Sequence, residues 1–324
     1  MSEFVEKTVL IHCEATKISG AEDLQTLWNG YGKIARFHTD SAKYPTAIVK
    51  HIQLKKGTGH PRGWSGERSH QRKFRSYEVE QSWYKNYSAE CDELCRVPHC
   101  LGMAKEGENI VMVLEDLDGC GFHLRKTSLN ISEIHGPIRW LAHFHAYFLG
   151  RKTKGLWKQG TYWHLKTRPD ELAALTDQEL KEAAKKIDRK MQETDFLTLV
   201  HGDAKCANFC FSSDSKVVAA VDFQYVGGGC GMKDLAYFVG SCMAERECAK
   251  YEQEVLGIYF KYLNEALERY NSPYDGADIE KQWRPLYPIA WVDFHRFLKG
   301  WCPDHWKITP YSEKLVKQVL RELP

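Results

Sequence analysis

The chain has 324 residues, 45 Lys and Arg against 43 Asp and Glu, and a formal charge of +2. A 43% hydrophobic and 27% charged composition is that of an ordinary globular protein, and the length predicts two domains or lobes. The near-neutral balance argues against a dedicated nucleic-acid binder, and the apolar fraction argues against low-complexity disorder. The first residues lack the basic start and long apolar run of a signal peptide, and no stretch approaches a membrane span. The 11 cysteines are scattered, which predicts reduced thiols and a cytoplasmic protein.

In chain order, the first third reads as β-rich with one helix. Residues 34–37 and 46–52 run apolar or alternate as strands do, and Lys50 interrupts the second of them. A lysine in an apolar strand predicts a charged partner or ligand. Residues 55–75 hold four glycines, a proline and many basic residues. They read as a loop, either a solvated insertion or a lid. Residues 76–87 read as a helix and 109–114 as a strand. The punctuation at Asp118-Gly119 and Gly121 sets a lobe boundary there, between residues 1–117 and a helical lobe of residues 118–324.

The second lobe reads as mostly helical. Ile134, Ile138, Leu141, His145 and Phe148 fall at helical spacing. Thr176 followed by Glu179 is a capping-box pattern opening a helix to about Thr194. Two short apolar runs, FLTLV and VVAAV, interrupt the helices, and each ends in a polar cluster. The first delivers His201-Gly202-Asp203-Ala204-Lys205-Cys206-Ala207-Asn208, and the second Asp222-Phe223-Gln224. A strand end carries its carboxylate on a rigid element. One carboxylate that accepts a proton, with an amide oxygen and a second carboxylate for Mg²⁺, is the equipment phosphoryl transfer needs.

HGDAKCANF followed by VDFQ resembles the catalytic loop and metal motif of the protein-kinase-like small-molecule kinases: the aminoglycoside phosphotransferases, choline kinases and ecdysteroid-kinase-like proteins. VMVLEDL resembles their adenine-binding hinge, WLAHFHA their L-A-x-x-H-A helix, DLAYF the D-L-A segment, TAIVK the phosphate-lysine strand and EQSWY the E-x-x-F-Y helix. The resemblance covers roughly residues 25–245, and the order of the motifs is more specific than any one of them. It implies an α+β bilobal protein-kinase-like fold and an ATP- and Mg²⁺-dependent kinase acting on a small-molecule hydroxyl. Asp203 is the implied general base and Lys205 a transition-state charge. Asn208 and Asp222 are the implied Mg²⁺ ligands. Lys50, held by Glu80 or its rival Glu78, would neutralise phosphates, and Glu115 and Leu117 would contact adenine. The phosphate-loop candidate, Gly30 and Gly32, lacks a third glycine. A catalytically degenerate nucleotide-binding scaffold is the alternative. A protein kinase is disfavoured, because only about a dozen residues separate Asp222 from Asp234 and no Ala-Pro-Glu follows.

The acceptor is expected in the C-terminal part. Residues 282–306 hold four of the ten tryptophans, and Trp291, Asp293 and Arg296 are the acceptor-contact candidates. A core helix packing its aromatics inward competes with that reading. No nucleic-acid partner is expected.

Overall fold

A computed structural model describes residues 2–54 and 67–323. The chain forms two compact units, one of residues 1–90 and 97–123, the other of residues 91–96 and 124–324. The architecture is α+β, with an antiparallel sheet in the first unit and mostly helices in the second.

In the first unit α1 (Glu3–His12) precedes β1 (Ile18–Thr26), β2 (Gly32–Thr39), β3 (Thr46–Gln53), α2 (Glu67–Asn86), β4 (Cys100–Glu106) and β5 (Asn109–Glu115). Among the described residues the sheet runs β1-β2-β3-β5-β4, antiparallel throughout. Period-2 alternation sends Ala35 and Phe37, Ala47 and Val49, and Val111 and Val113 to one face. There they meet Val5 and Val9 on α1 and Cys13 at its C-terminal cap, spaced four residues apart. Lys50, next to Val49, therefore points to the opposite face of the sheet.

Helix α1 is absent from the sequence expectation, although its apolar spacing of four is the signal of an amphipathic helix. Residues 67–75 correct the expected loop, because they are the first half of α2. Their charged residues pair along the helix: Gln71 with Glu67, Arg75 with Glu78, and the Lys73 ammonium 4.9 Å from the Tyr77 ring centroid. Residues 55–66 of that loop lie outside the described residues.

The second unit contains α3 (His135–Tyr147), α4 (Pro169–Ala174), α5 (Gln178–Lys190), β6 (Thr198–Val200), β7 (Phe209–Phe211), β8 (Val218–Ala220), β9 (Gly227–Gly229), α6 (Met232–Cys242), α7 (Glu245–Arg269), α8 (Gly276–Trp283), α9 (Leu286–Trp301) and α10 (Pro310–Glu322). Two ribbons, β6 with β9 and β7 with β8, carry the polar clusters at their ends. Helix α9 is buried on every side and packs against α4, α5, α6 and α10. Helix α5 begins one residue later than its sequence predicts. Asp177, not Thr176, caps it by accepting the Leu180 N–H, and the helix ends at Lys190. No helix among the described residues is long and apolar enough to cross a membrane.

Candidate active site

Helix α6 holds the loop between β6 and β7 from beneath. Asp234, Tyr237 and Ser241 fall at i, i+3 and i+7, on one helical face. Asp234 accepts the backbone N–H groups of His201 (2.5 Å) and Gly202 (2.9 Å). Tyr237 donates its hydroxyl to Asp203 Oδ1 (3.2 Å), and Ser241 Oγ accepts the Cys206 N–H (2.8 Å). His145, the histidine of the L-A-x-x-H-A helix, lies 3.2 Å from Asp234 through Nε2 and 2.8 Å from the Tyr259 hydroxyl through Nδ1. Through these contacts α3, the loop and α6 share one buried hydrogen-bond network.

His201 is a structural member of the loop. Its Nδ1 accepts the Asp203 N–H (3.2 Å), which leaves Nε2 to donate to the Val221 carbonyl (3.0 Å). The His201 ring packs 4.5 Å from the Phe223 ring, tying the loop to the segment that bears Asp222. Gly202 has φ +79°, and a Cβ there would lie 2.2 Å from the Tyr225 carbonyl oxygen. Only glycine fits that position.

The Asp203 side chain is 8% exposed. Its Oδ2 accepts from Lys205 Nζ and Asn208 Nδ2, each at 3.2 Å. Burial raises its pKa. Lys205 opposes the rise, and the negative charge of Asp222 adds to it. The charge of Asp203 in turn raises the pKa of Lys205. Asn208 also donates Nδ2 to the Asp203 carbonyl (2.8 Å). With its N–H spent, its Oδ1 is left as a hard oxygen ligand. Asp222 has φ +69°, a left-handed conformation that asparagine and aspartate tolerate best, and Gln224 Nε2 donates to its Oδ1 (2.5 Å). A carboxylate and an amide oxygen make a donor set suited to Mg²⁺. The structure thus brings Asp203, Lys205, Asn208 and Asp222 together within the second unit.

In the first unit, Lys50 Nζ donates to both oxygens of Glu80 at 2.7 Å. The Lys50 and Glu80 side chains are 4% and 1% exposed. Glu78 is exposed and pairs with Arg75, so Glu80 is the Lys50 partner. Gly30 lies in the turn from β1 to β2 and Gly32 is the first residue of β2, at φ +72° and +131°. A Cβ on Gly32 would fall 2.0 Å from the His51 carbonyl oxygen. Glu115 ends β5, its N–H on the His99 carbonyl (2.9 Å). Leu117 is buried, and its carbonyl accepts the Cys120 and Phe122 N–H groups.

The acceptor candidates sit differently from the expectation. Asp293 and Arg296 are enclosed on α9, at 0% and 1% exposure. Asp293 bonds Arg296 (2.9 Å), Trp163 Nε1 (3.1 Å) and Lys233 (3.4 Å). Burial opposes its ionisation, but Lys233 and Arg296 outweigh it and hold the carboxyl below its usual range. Their charges are spent on one another, as in a core ion-pair cluster. Trp291 is also buried, on the side of α9 facing Gly240 of α6. The groups that do surround Asp203 include Tyr237, Tyr162 behind it (hydroxyl to hydroxyl, 3.2 Å) and Lys307, none of which the sequence singled out. For Tyr237 a signal existed: it lies three residues after Asp234 on one helix.

Residues 155–272 match the model of the ecdysteroid kinase-like family. That span contains Asp203, Asn208, Asp222 and Asp234. A microcompartment-associated aminopropanol kinase superposes with a TM-score of 0.54 at 15% identity, over 98% of this chain and 93% of that one. The protein has the fold of the protein-kinase-like small-molecule kinases. An ethanolamine kinase from Plasmodium vivax also matches, with a TM-score of 0.51 at 11% identity, over 98% of this chain and 89% of that one. No curated protein matches this chain in sequence.

Proposed function

We propose that the protein is a small-molecule kinase that uses ATP and transfers its γ-phosphate to an acceptor hydroxyl, with Asp203 as general base. The single observation that carries this is the set around Asp203: a buried carboxylate bound by Lys205, Asn208 and Tyr237, with its pKa raised by burial and by Asp222. A raised pKa makes a carboxylate a better proton acceptor in the transition state. Asp203 takes the hydroxyl proton as the acceptor oxygen bonds to Pγ. The bond from Pγ to the bridging oxygen breaks, and ADP leaves with its electron pair.

Lys205, 40% exposed at its side chain and already held to Asp203, is free to meet the oxygens of the transferring group. Asn208 and Asp222 would hold Mg²⁺, which supplies charge neutralisation at the phosphates. Lys50, oriented by Glu80, is assigned to the α- and β-phosphates, Gly30 and Gly32 to phosphate contacts through backbone N–H groups, and Glu115 and Leu117 to adenine.

The test is ADP release by the wild type and by Asp203→Ala over a library of hydroxyl metabolites, with ADP binding followed by calorimetry. Asp203→Ala should lose turnover by at least about a thousandfold, while ADP affinity stays within a few-fold. Turnover equal to that of the wild type would overturn the assignment.

A further inference from the structure

Lys307 lies in the segment joining α9 to α10. Its ammonium is 4.5 Å from the Tyr237 ring centroid, 5.4 Å from that of Trp306 and 5.5 Å from that of Phe294. Three rings around one ammonium make an aromatic cage. The Tyr237 ring links the cage to the proposed base, because its face meets Lys307 while its hydroxyl donates to Asp203. Among the described residues no carboxylate lies within ion-pair distance of the Lys307 ammonium. Trp306, at the rim of the cage, is 68% exposed. A narrow cavity beside the ammonium is lined by Tyr237, Gly240, Trp291, Phe294 and His295.

A cage of aromatic faces beside a carboxylate is the environment that would receive the ammonium of an amino-alcohol acceptor. Here the chain's own ammonium fills it. Resting on the kinase reading above, we propose that Lys307 selects the acceptor. It excludes cationic amino alcohols by occupying the cage and repelling their charge, and it favours acceptors that present a neutral or anionic oxygen near the reacting hydroxyl. Burial lowers the Lys307 pKa to about 8, and the charge of Asp203 partly resists that fall, so the group is still largely protonated at neutral pH. A protonated, unpaired ammonium gains most from an oxygen lone pair supplied by a ligand.

The experiment compares wild type, Lys307→Met and Lys307→Arg on three acceptor panels. These are cationic (ethanolamine, choline, 1-amino-2-propanol), neutral (polyols and sugars) and anionic (hydroxy acids). ADP release is measured above the acceptor-free rate. The wild type should act on neutral or anionic acceptors and not on the cationic panel. Lys307→Met should shift the ratio of kcat/KM toward the cationic panel by about tenfold or more, and Lys307→Arg should restore the wild-type preference. The two non-cationic panels distinguish a neutral from an anionic acceptor. A wild type that prefers the cationic panel, or a ratio unmoved in Lys307→Met, would overturn the proposal.

A second arm does not depend on turnover. Tetramethylammonium is titrated into wild type and Lys307→Ala and followed by tryptophan fluorescence. The emptied cage should bind it at least about tenfold more tightly than the filled one. If no panel is phosphorylated, the kinase reading falls, and this titration alone decides the cage. Equal affinity in both proteins would overturn it.

Discussion

Lys50→Met isolates one buried charge in the sheet. Lys50 stands on the central strand β3, opposite Ile34 on one side and Met112 on the other, and its ammonium reaches both Glu80 oxygens at 2.7 Å. With both side chains enclosed, water cannot replace the lost partner. Removing either partner takes a charge-assisted contact from the other inside an enclosed site, a loss of about 3–5 kcal/mol. The double variant Lys50→Met with Glu80→Leu puts apolar groups of similar volume in place of the pair and should fall within about 1–2 kcal/mol of the wild type. The two single losses therefore should not add, and the coupling between the sites should be several kcal/mol. Urea denaturation followed by tryptophan emission reads it, since Trp83 is buried on α2 one turn from Glu80. Single variants within about 1 kcal/mol of wild type would refute the burial argument. Nucleotide tests the phosphate role proposed for Lys50. ADP at about a hundred times its Kd stabilises a binding-competent protein by about 2.7 kcal/mol, and both the single and double variants should lose most of that gain. A double variant that keeps it would remove Lys50 from the phosphate site without touching the stability argument.

Two further outcomes follow from the second unit. Asp234→Asn removes the charge that accepts the His201 and Gly202 N–H groups. It should cost about 2–4 kcal/mol, with faster hydrogen exchange at those two amides and slower turnover; unchanged exchange would show that the loop holds itself. His143, His164 and His295 are buried, and burial lowers their pKa values from 6.5 to about 4, about 3 and about 4. Below about pH 6.5 the unfolded chain binds protons that the folded chain refuses, so stability should fall as pH drops from about 6.5 toward 4, above the range where most carboxylates titrate. Thermal midpoints across that window check it. A flat profile would refute it, and His164→Gln should reduce the slope.

How much was legible from the chain depends on the range of the interaction. The strands β3, β5, β6 and β8 and the helix α3 show in their apolar periodicity, a local property. The stretch 67–75 misled because its basic composition looks solvated, while side-chain pairing three and four residues apart makes it helical. Thr176 misled by one residue, because Asp177 is the better-placed cap. The acceptor candidates were open between two readings for a different reason. The residues of α9 are aromatic and charged, as a binding surface would be, yet the helix is enclosed on every side and its charges neutralise one another.

The order of residues along the chain is sufficient for the proposed catalytic loop, since Asp203, Lys205 and Asn208 lie on one short loop and Asp222 follows on the paired strand segment. It also supplies Gly202, whose φ no other residue would adopt there without meeting the Tyr225 carbonyl. What only the tertiary structure decided are the partners far away in sequence. Glu80 rather than Glu78 meets Lys50 because the register of α2 buries one and exposes the other. Tyr162, Tyr237 and Lys307 come from three separate segments, and their meeting beside Asp203 depends on how α6 and α9 pack. Packing of that kind carries no periodic or local mark, so no reading of the chain alone would have put an ammonium in the aromatic cage.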